Sequence, residues 1–425
     1  MSSYKFETRA LHAGQEKDEH VPSRAVPVHR TTAYNFKSAE HAANLFALKE
    51  LGYIYTRIMN PTQEALEQRL ASLEGGAAAL AVASGTSAIF YAIANIAEAG
   101  DEIVSSSHLY GGTYTMFNDI LPRYGISTRF VDPLDLDAVR NAITEKTRAV
   151  FMETIGNPAL SVPNFEAVAE VAHAAGVPLI VDSTFTTPYL FRPLEYGADI
   201  VVHSLTKWIG GHGTGIGGIV VDGGAFDWKS PRFRTLNEPE PSYHDIRFAH
   251  DLGELSPIAY ILRMRVVPLR NLGAAISPDN AWMFLQGTET LALRLQRHSE
   301  NALAVAEFLE GHQSVEWVRY PGLQSHPSHS NAERYFTRGY GGMVVFGIKG
   351  GRSAGQRFIE KLSLFSHVAN VGDAKSLAIH PSSTTHSQLT EEQQKSAGLQ
   401  SELVRLSIGI EHIDDIRADL KQALE

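Results

Sequence analysis

The sequence predicts an α/β fold: a mainly parallel sheet covered on both faces by helices, with a smaller α+β domain behind it. Three observations carry that prediction. Between Thr62 and Asp222, short apolar runs alternate with helix-patterned segments. Strands buried on both faces of a parallel sheet read in this way, as continuous apolar runs. From Asp222 to Ser277 the alternation breaks, and beyond it a long helical stretch precedes strands of a different pattern. The expected division is an arm over 1–61, a large domain over 62–285 and an α+β domain over 286–425.

The arm is mixed and turn-rich, with Pro22, Pro27 and Pro61 and little sustained period. Such a segment seldom makes its own core and more often wraps a neighbour. Gln63 to Leu73 places Ala65, Leu66, Leu70 and Leu73 at helical spacing and stops at Gly75-Gly76. Ala77 to Val82 is a short apolar strand, leading through Ser84-Gly85-Thr86 into a helix that runs to Ile96. Further strands are expected at Glu102–Ser105, Ser127–Val131, Ala149–Glu153, Pro178–Asp182 and the run beginning at Ala198, with a helix over Phe165–Ala175. The segment from Phe226 to Tyr243 reads as an excursion from the sheet. Glu289 to Leu309 is a long helix, followed by strands at Val315–Val318 and Gly342–Phe346. Leu403 to Ile410 alternates cleanly, as in an antiparallel sheet with one face in water.

At 425 residues the chain exceeds one small core, so two or more domains are expected. Hydrophobic residues make up 44% and charged ones 20%, an ordinary globular balance. A net charge of −10 argues against broad binding to nucleic acid or acidic lipid. With no long apolar run and a polar start, a cytoplasmic location is expected. The absence of cysteine excludes disulfides, thiolate metal sites and a cysteine nucleophile.

The most informative stretch is Asp199-Ile200-Val201-Val202-His203-Ser204-Leu205-Thr206-Lys207. A lysine just past a buried strand is well placed to have its pKa lowered, as an amine needs in order to form a Schiff base. Ser204 and Thr206 flank it with hydroxyls suited to a phosphate. Together they point to pyridoxal phosphate, whose ring is an electron sink for carbanions. Other candidates fall at the carboxyl ends of expected strands, where open α/β sheets build ligand sites. Gly85 and Thr86 sit at a strand-to-helix turn that can bind an anion. Asp182 can pair with a protonated ring nitrogen, Tyr110 can stack on a flat cofactor, and Asn157 places an amide nearby. Each has an ordinary reading when taken alone: a solvated loop lysine, a helix cap, a turn or simple packing. Their coincidence at one edge of the sheet is the stronger signal.

With these residues in place, the chain resembles the cystathionine γ-synthase-like (Cys/Met metabolism) family of pyridoxal-phosphate enzymes. The resemblance runs from Thr8-Arg9-Ala10-Leu11-His12-Ala13-Gly14 to Arg405-Leu406-Ser407-Ile408-Gly409-Ile410-Glu411. It implies the aspartate-aminotransferase-like fold (fold type I) with a seven-stranded sheet. It further implies that Lys207 holds the cofactor covalently, Asp182 pairs the pyridinium and Tyr110 stacks on the ring. Gly85, Thr86, Ser204 and Thr206 would bind the phosphate, and Asn157 the 3′-oxygen. Tyr55-Thr56-Arg57 matches the motif whose tyrosine and arginine reach the phosphate across a dimer interface, so a homodimer building a homotetramer is implied. Arg405, with Ser376 beside it, would hold the substrate carboxylate, Asn157 and Tyr55 completing that contact. A strand arginine without such a partner would need an internal ion pair.

Within the family, Gly372-Asp373-Ala374-Lys375-Ser376-Leu377 and His380-Pro381-Ser382-Ser383-Thr384-Thr385-His386 resemble the O-acetylhomoserine sulfhydrylase branch. So do the Asp222–Ser277 excursion and Leu285-Gln286-Gly287-Thr288-Glu289-Thr290-Leu291. Methionine γ-lyases are similar but usually carry a cysteine two residues after the stacking tyrosine, where this chain has Gly112. The implied reaction is replacement of the acetyl ester of O-acetyl-L-homoserine by sulfide or methanethiol. The alternatives are an O-succinylhomoserine sulfhydrylase, a cystathionine γ-synthase or a γ-eliminating lyase. A non-catalytic scaffold would need none of Lys207, Asp182 and Arg405.

Overall fold

A computed structural model describes residues 3–15, 22–381, 384 and 400–425. The large sheet contains β1 (Ala78–Val82), β2 (Glu102–Ser106), β3 (Ser127–Val131), β4 (Thr147–Glu153), β5 (Leu179–Asp182), β6 (Ile200–Ser204) and β7 (Gly218–Asp222). Their order is β1-β7-β6-β5-β4-β2-β3. β2 pairs in parallel with β3 and β4, as do β4 with β5 and β5 with β6, while β7 runs antiparallel to both β6 and β1. Six of these strands are the apolar runs expected from the sequence; β7 is the one not expected. Gly217 and Gly218 open it, and a Cβ on Gly218 would lie 2.1 Å from the Ser84 carbonyl, so the close packing of β7 on the first strand-to-helix turn requires glycine there.

Two apolar layers cover the sheet. Val181, Val201 and Val221 pack on one side with Leu66, Leu70 and Leu73 of the helix Pro61–Glu74. Ile180, Val202 and Val220 pack on the other with Ile89 and Ile93 of the helix Gly85–Ala94. The Asp222–Ser277 excursion belongs to this second layer, where the Trp228 indole stacks on Tyr260 at 4.8 Å.

The smaller sheet contains β8 (Val315–Arg319), β9 (Met343–Ile348), β10 (Ser366–His367), β11 (Leu377–Ile379) and β12 (Leu403–Ser407), in the order β10-β11-β12-β9-β8. The expectation that Leu403–Ile410 would keep one face in water is corrected: every residue of β12 is buried. Val404 and Leu406 face the core formed with the helices Leu291–Glu310, Gly351–Lys361 and Ile413–Leu424. Leu403 joins the core of the large domain instead. Its alternation therefore records two different buried surroundings.

The arm is more ordered than its sequence pattern suggested. Phe6–His12 is a helix whose Phe6 and Ala10 are buried in the large-domain core. Seven residues with two buried positions leave too little period to read. The expected boundary after Leu285 falls inside the helix Pro278–Glu289, whose Phe284 and Leu285 also pack in that core. Among the described residues no helix is long and apolar enough to cross a membrane.

Candidate active site

The carboxyl ends of β1, β2, β4, β5 and β6 converge on a cavity of about 270 Å³. Gly85, Thr86, Tyr110, Asn157, Asp182, Ser204, Thr206 and Lys207 line it from the large domain, and Arg405 from the smaller one. A neighbouring cavity of about 940 Å³ shares Thr86, Tyr110, Asn157 and Arg405 with it. Nine of the twelve residues singled out in the sequence are thus brought together.

Three are not. Tyr55 and Arg57 lie outside the cavity of their own chain, with the guanidinium 5.0 Å from the centre of the tyrosine ring. Ser376 is fully buried but does not line the cavity. Its hydroxyl donates to Glu411 Oε2 (2.9 Å) and accepts from the Gly409 N–H (2.9 Å). Of the His380–His386 motif, Ser382, Ser383, Thr385 and His386 lie outside the described residues.

Local structure sets each position. Ser84 caps the helix Gly85–Ala94, its Oγ accepting from the Ser87 N–H at 3.0 Å, which leaves the first-turn amides of Gly85 and Thr86 facing the cavity end of the helix. A Cβ on Gly85 would lie 2.6 Å from Ser204 Cβ, so only glycine lets the first turn of this helix come so close to the end of β6. Thr206 is fixed by Gly217, whose N–H it accepts at 3.1 Å. Asp182 Oδ1 accepts from the Thr184 N–H at 2.9 Å.

The charges are strongly perturbed. Burial, and then the nearby Arg405 cation, pull the Lys207 amine down to about 8. Its Nζ donates to Asn370 Oδ1 at 2.6 Å. Burial raises Asp182, opposed by its bonds to Thr184 and by His203. Glu153, paired in register with Asp182, is held well above the usual carboxylate range by burial and then by that neighbour. Arg405 is 7% exposed, and burial lowers it to about 10. Among the described residues no carboxylate pairs with it.

Sequence reasoning missed Glu153, Asn370 and Thr184 as cavity residues. Glu153 carried a signal, since a carboxylate closing the apolar run Ala149–Met152 is out of place in a two-sided strand. Asn370 carried none, because its loop reaches Lys207 across 163 residues of sequence.

A family model described as Cys/Met metabolism PLP-dependent enzyme matches residues 7–425. The chain belongs to this family. O-acetyl-L-homoserine sulfhydrylase of Leptospira meyeri is 55% identical, over 100% of this chain and 97% of that protein. Homocysteine synthase of Schizosaccharomyces pombe is 54% identical, over 100% and 99%. A Campylobacter jejuni structure named as an O-acetylhomoserine (thiol)-lyase, solved with N'-pyridoxyl-lysine-5'-monophosphate, superposes with a TM-score of 0.95. It is 42% identical and covers 99% of this chain and 100% of its own. The fold is therefore that of the fold-type I pyridoxal-phosphate enzymes.

The residues present fit pyridoxal phosphate. Lys207 offers an amine of lowered pKa, the side-chain-free Gly85 leaves room at a helix N-terminus, and Asn157 Oδ1 is a buried acceptor without a partner.

Proposed function

We propose that this member of the Cys/Met metabolism PLP-dependent enzymes is an O-acetyl-L-homoserine sulfhydrylase, converting O-acetyl-L-homoserine and sulfide to L-homocysteine and acetate. The observation that carries the reading is the pairing of Lys207 with Arg405 across one cavity. An amine poised near neutrality faces a buried guanidinium that pairs with no carboxylate among the described residues. An amino acid supplies what each lacks, a carboxylate for Arg405 and acidic protons for Lys207. The sulfhydrylase relatives, at more than half identity over the full length, support the choice of substrate.

Pyridoxal phosphate, held by Lys207, Asp182, Tyr110 and the phosphate cradle of Gly85, Thr86, Ser204 and Thr206, supplies an electron sink for charge developing at Cα. Asp182 holds a proton at the ring nitrogen by its negative charge. Arg405 binds the substrate carboxylate two-pronged, which fixes the direction of the Cα–H bond. Released by the incoming substrate amine, Lys207 takes the proton from Cα, passes it on within the site and, unprotonated again, takes one from Cβ. Acetate leaves from Cγ, sulfide adds at the same carbon, and Lys207 returns the protons. Tyr110, at the cavity mouth, can assist these transfers.

Tyr55 and Arg57 complete a neighbouring subunit's phosphate site on this reading. Their absence from their own cavity supports a homodimer. On this reading the reaction runs in the cytoplasm. At position 112 a Cβ would lie 2.5 Å from the Tyr110 ring, so the present ring position goes with glycine and would be disturbed by the cysteine of the γ-lyases.

The test is a product assay with O-acetyl- and O-succinyl-L-homoserine, each with sulfide, methanethiol or cysteine. The acetyl ester with sulfide should give the highest kcat/KM. A preference for the succinyl ester, or for cysteine, would move the chain to another branch of the family.

A further inference from the structure

Glu153 has no part in the reaction as described, yet it is a carboxyl group buried at the cavity wall, 7% exposed. It closes β4 beside Asp182, where an apolar residue would cost less. Its carboxyl group accepts the Tyr110 backbone N–H at 2.7 Å, and the Asn157 backbone N–H, on a different loop, acts on it as a second favourable dipole. Tyr110 follows β2 and Asn157 follows β4, so one side chain ties together the loops that deliver both residues to the cavity. The loops also pack closely further out, where His108 Nδ1 and Ser161 Oγ are 2.8 Å apart and a Cβ on Gly156 would lie 2.8 Å from His108 Cβ.

We propose that Glu153 is a positioning residue, a clamp on the Tyr110 and Asn157 backbones that sets the Tyr110 ring and the Asn157 amide against the cofactor. The proposal rests on the reading above that these two residues face pyridoxal phosphate. A carboxylate suits the task because both of its oxygens accept. A glutamine can satisfy one N–H but turns its own NH₂ toward the other. Burial beside Asp182 pushes the Glu153 carboxyl up, and the Tyr110 and Asn157 backbone N–H groups oppose that rise.

The test uses the holoenzyme. In the wild type, hydrogen exchange at the Tyr110 and Asn157 amides should be slow, although Tyr110 lies at an exposed cavity mouth. Fast exchange at both would overturn the clamp without any variant. Glu153→Gln should keep bound cofactor at one per chain and a near-normal Tm. It should nonetheless change the circular dichroism of the cofactor's visible band and lower kcat roughly tenfold to a hundredfold, the cost of a misplaced contact. Tyr110→Ala should change the same band, and the double variant should add little to it, since both act through one ring. Unchanged ellipticity and kcat in a folded Glu153→Gln, or fully additive effects, would refute the proposal. Unchanged ellipticity in Tyr110→Ala with both amides protected would instead fault the assignment of Tyr110 to the ring.

Discussion

Replacing Arg405 separates what the fold needs from what the reaction needs. Burial lowers the guanidinium to about 10, well below the usual arginine range. An arginine whose folded pKa lies below its unfolded value holds its proton less tightly in the folded state, so it costs stability at every pH below about 10. At about 1.4 kcal/mol per pH unit, that gap corresponds to a cost on the order of 3 kcal/mol for burying the cation. Arg405→Met removes the cost and keeps an apolar stem, so the free enzyme should keep or raise its Tm while losing activity. Arg405→Lys keeps the charge but loses the two-pronged geometry. Losing one charge-assisted bond of about 1.5–3 kcal/mol should lower kcat/KM about ten- to a hundredfold. Cofactor absorbance should barely change, because Lys207 and the phosphate cradle hold that group. The checks are differential scanning calorimetry of the free enzyme and steady-state kinetics with O-acetyl-L-homoserine. A large fall in the Tm of Arg405→Met, or an equal loss of cofactor and substrate binding in Arg405→Lys, would show that Arg405 supports the pocket itself.

Lys207→Ala should lose the visible band that borohydride removes from the wild type. The wild-type apoenzyme should recapture pyridoxal phosphate faster as pH rises through about 8, where its amine loses its proton, and level off above; stopped-flow absorbance checks this, and a flat profile would contradict it. An Arg57→Ala chain mixed with a Lys207→Ala chain should regain part of its activity, because one site of the mixed dimer then carries neither defect. No recovery despite proven subunit exchange would place Arg57 in its own subunit's site. Asn370→Ala removes the 2.6 Å acceptor of the lysine amine and should lower kcat about tenfold with KM little changed, read by steady-state kinetics at full cofactor loading.

The parallel core and its carboxyl-end site were legible because burial on both faces writes itself as apolar runs, and because chemistry-bearing residues follow those runs directly. The Lys207 stretch, Asp182 and Gly85 each sit at or just past the end of a strand, so each is marked by its immediate sequence. What was not legible depends on distant contacts. β7 is glycine-led because another loop's carbonyl approaches it, and Asn370 reaches Lys207 only after the smaller domain docks. Alternation in β12 looked like a core face and a wet face, but Leu403 and Arg405 turn toward the large domain and Val404 and Leu406 toward local helices. Ser376 lies near Arg405 in the family motif, yet its hydroxyl is already committed to Glu411 and Gly409.

The central claim is γ-replacement, and the direct measurement is the fate of the four-carbon skeleton when O-acetyl-L-homoserine and sulfide are supplied together. Acetate, homocysteine and α-ketobutyrate should be quantified in the same reaction. Homocysteine should equal the acetate released, with α-ketobutyrate a minor product. Acetate matched by α-ketobutyrate and ammonia, with sulfide unconsumed, would contradict it and make the chain a γ-lyase.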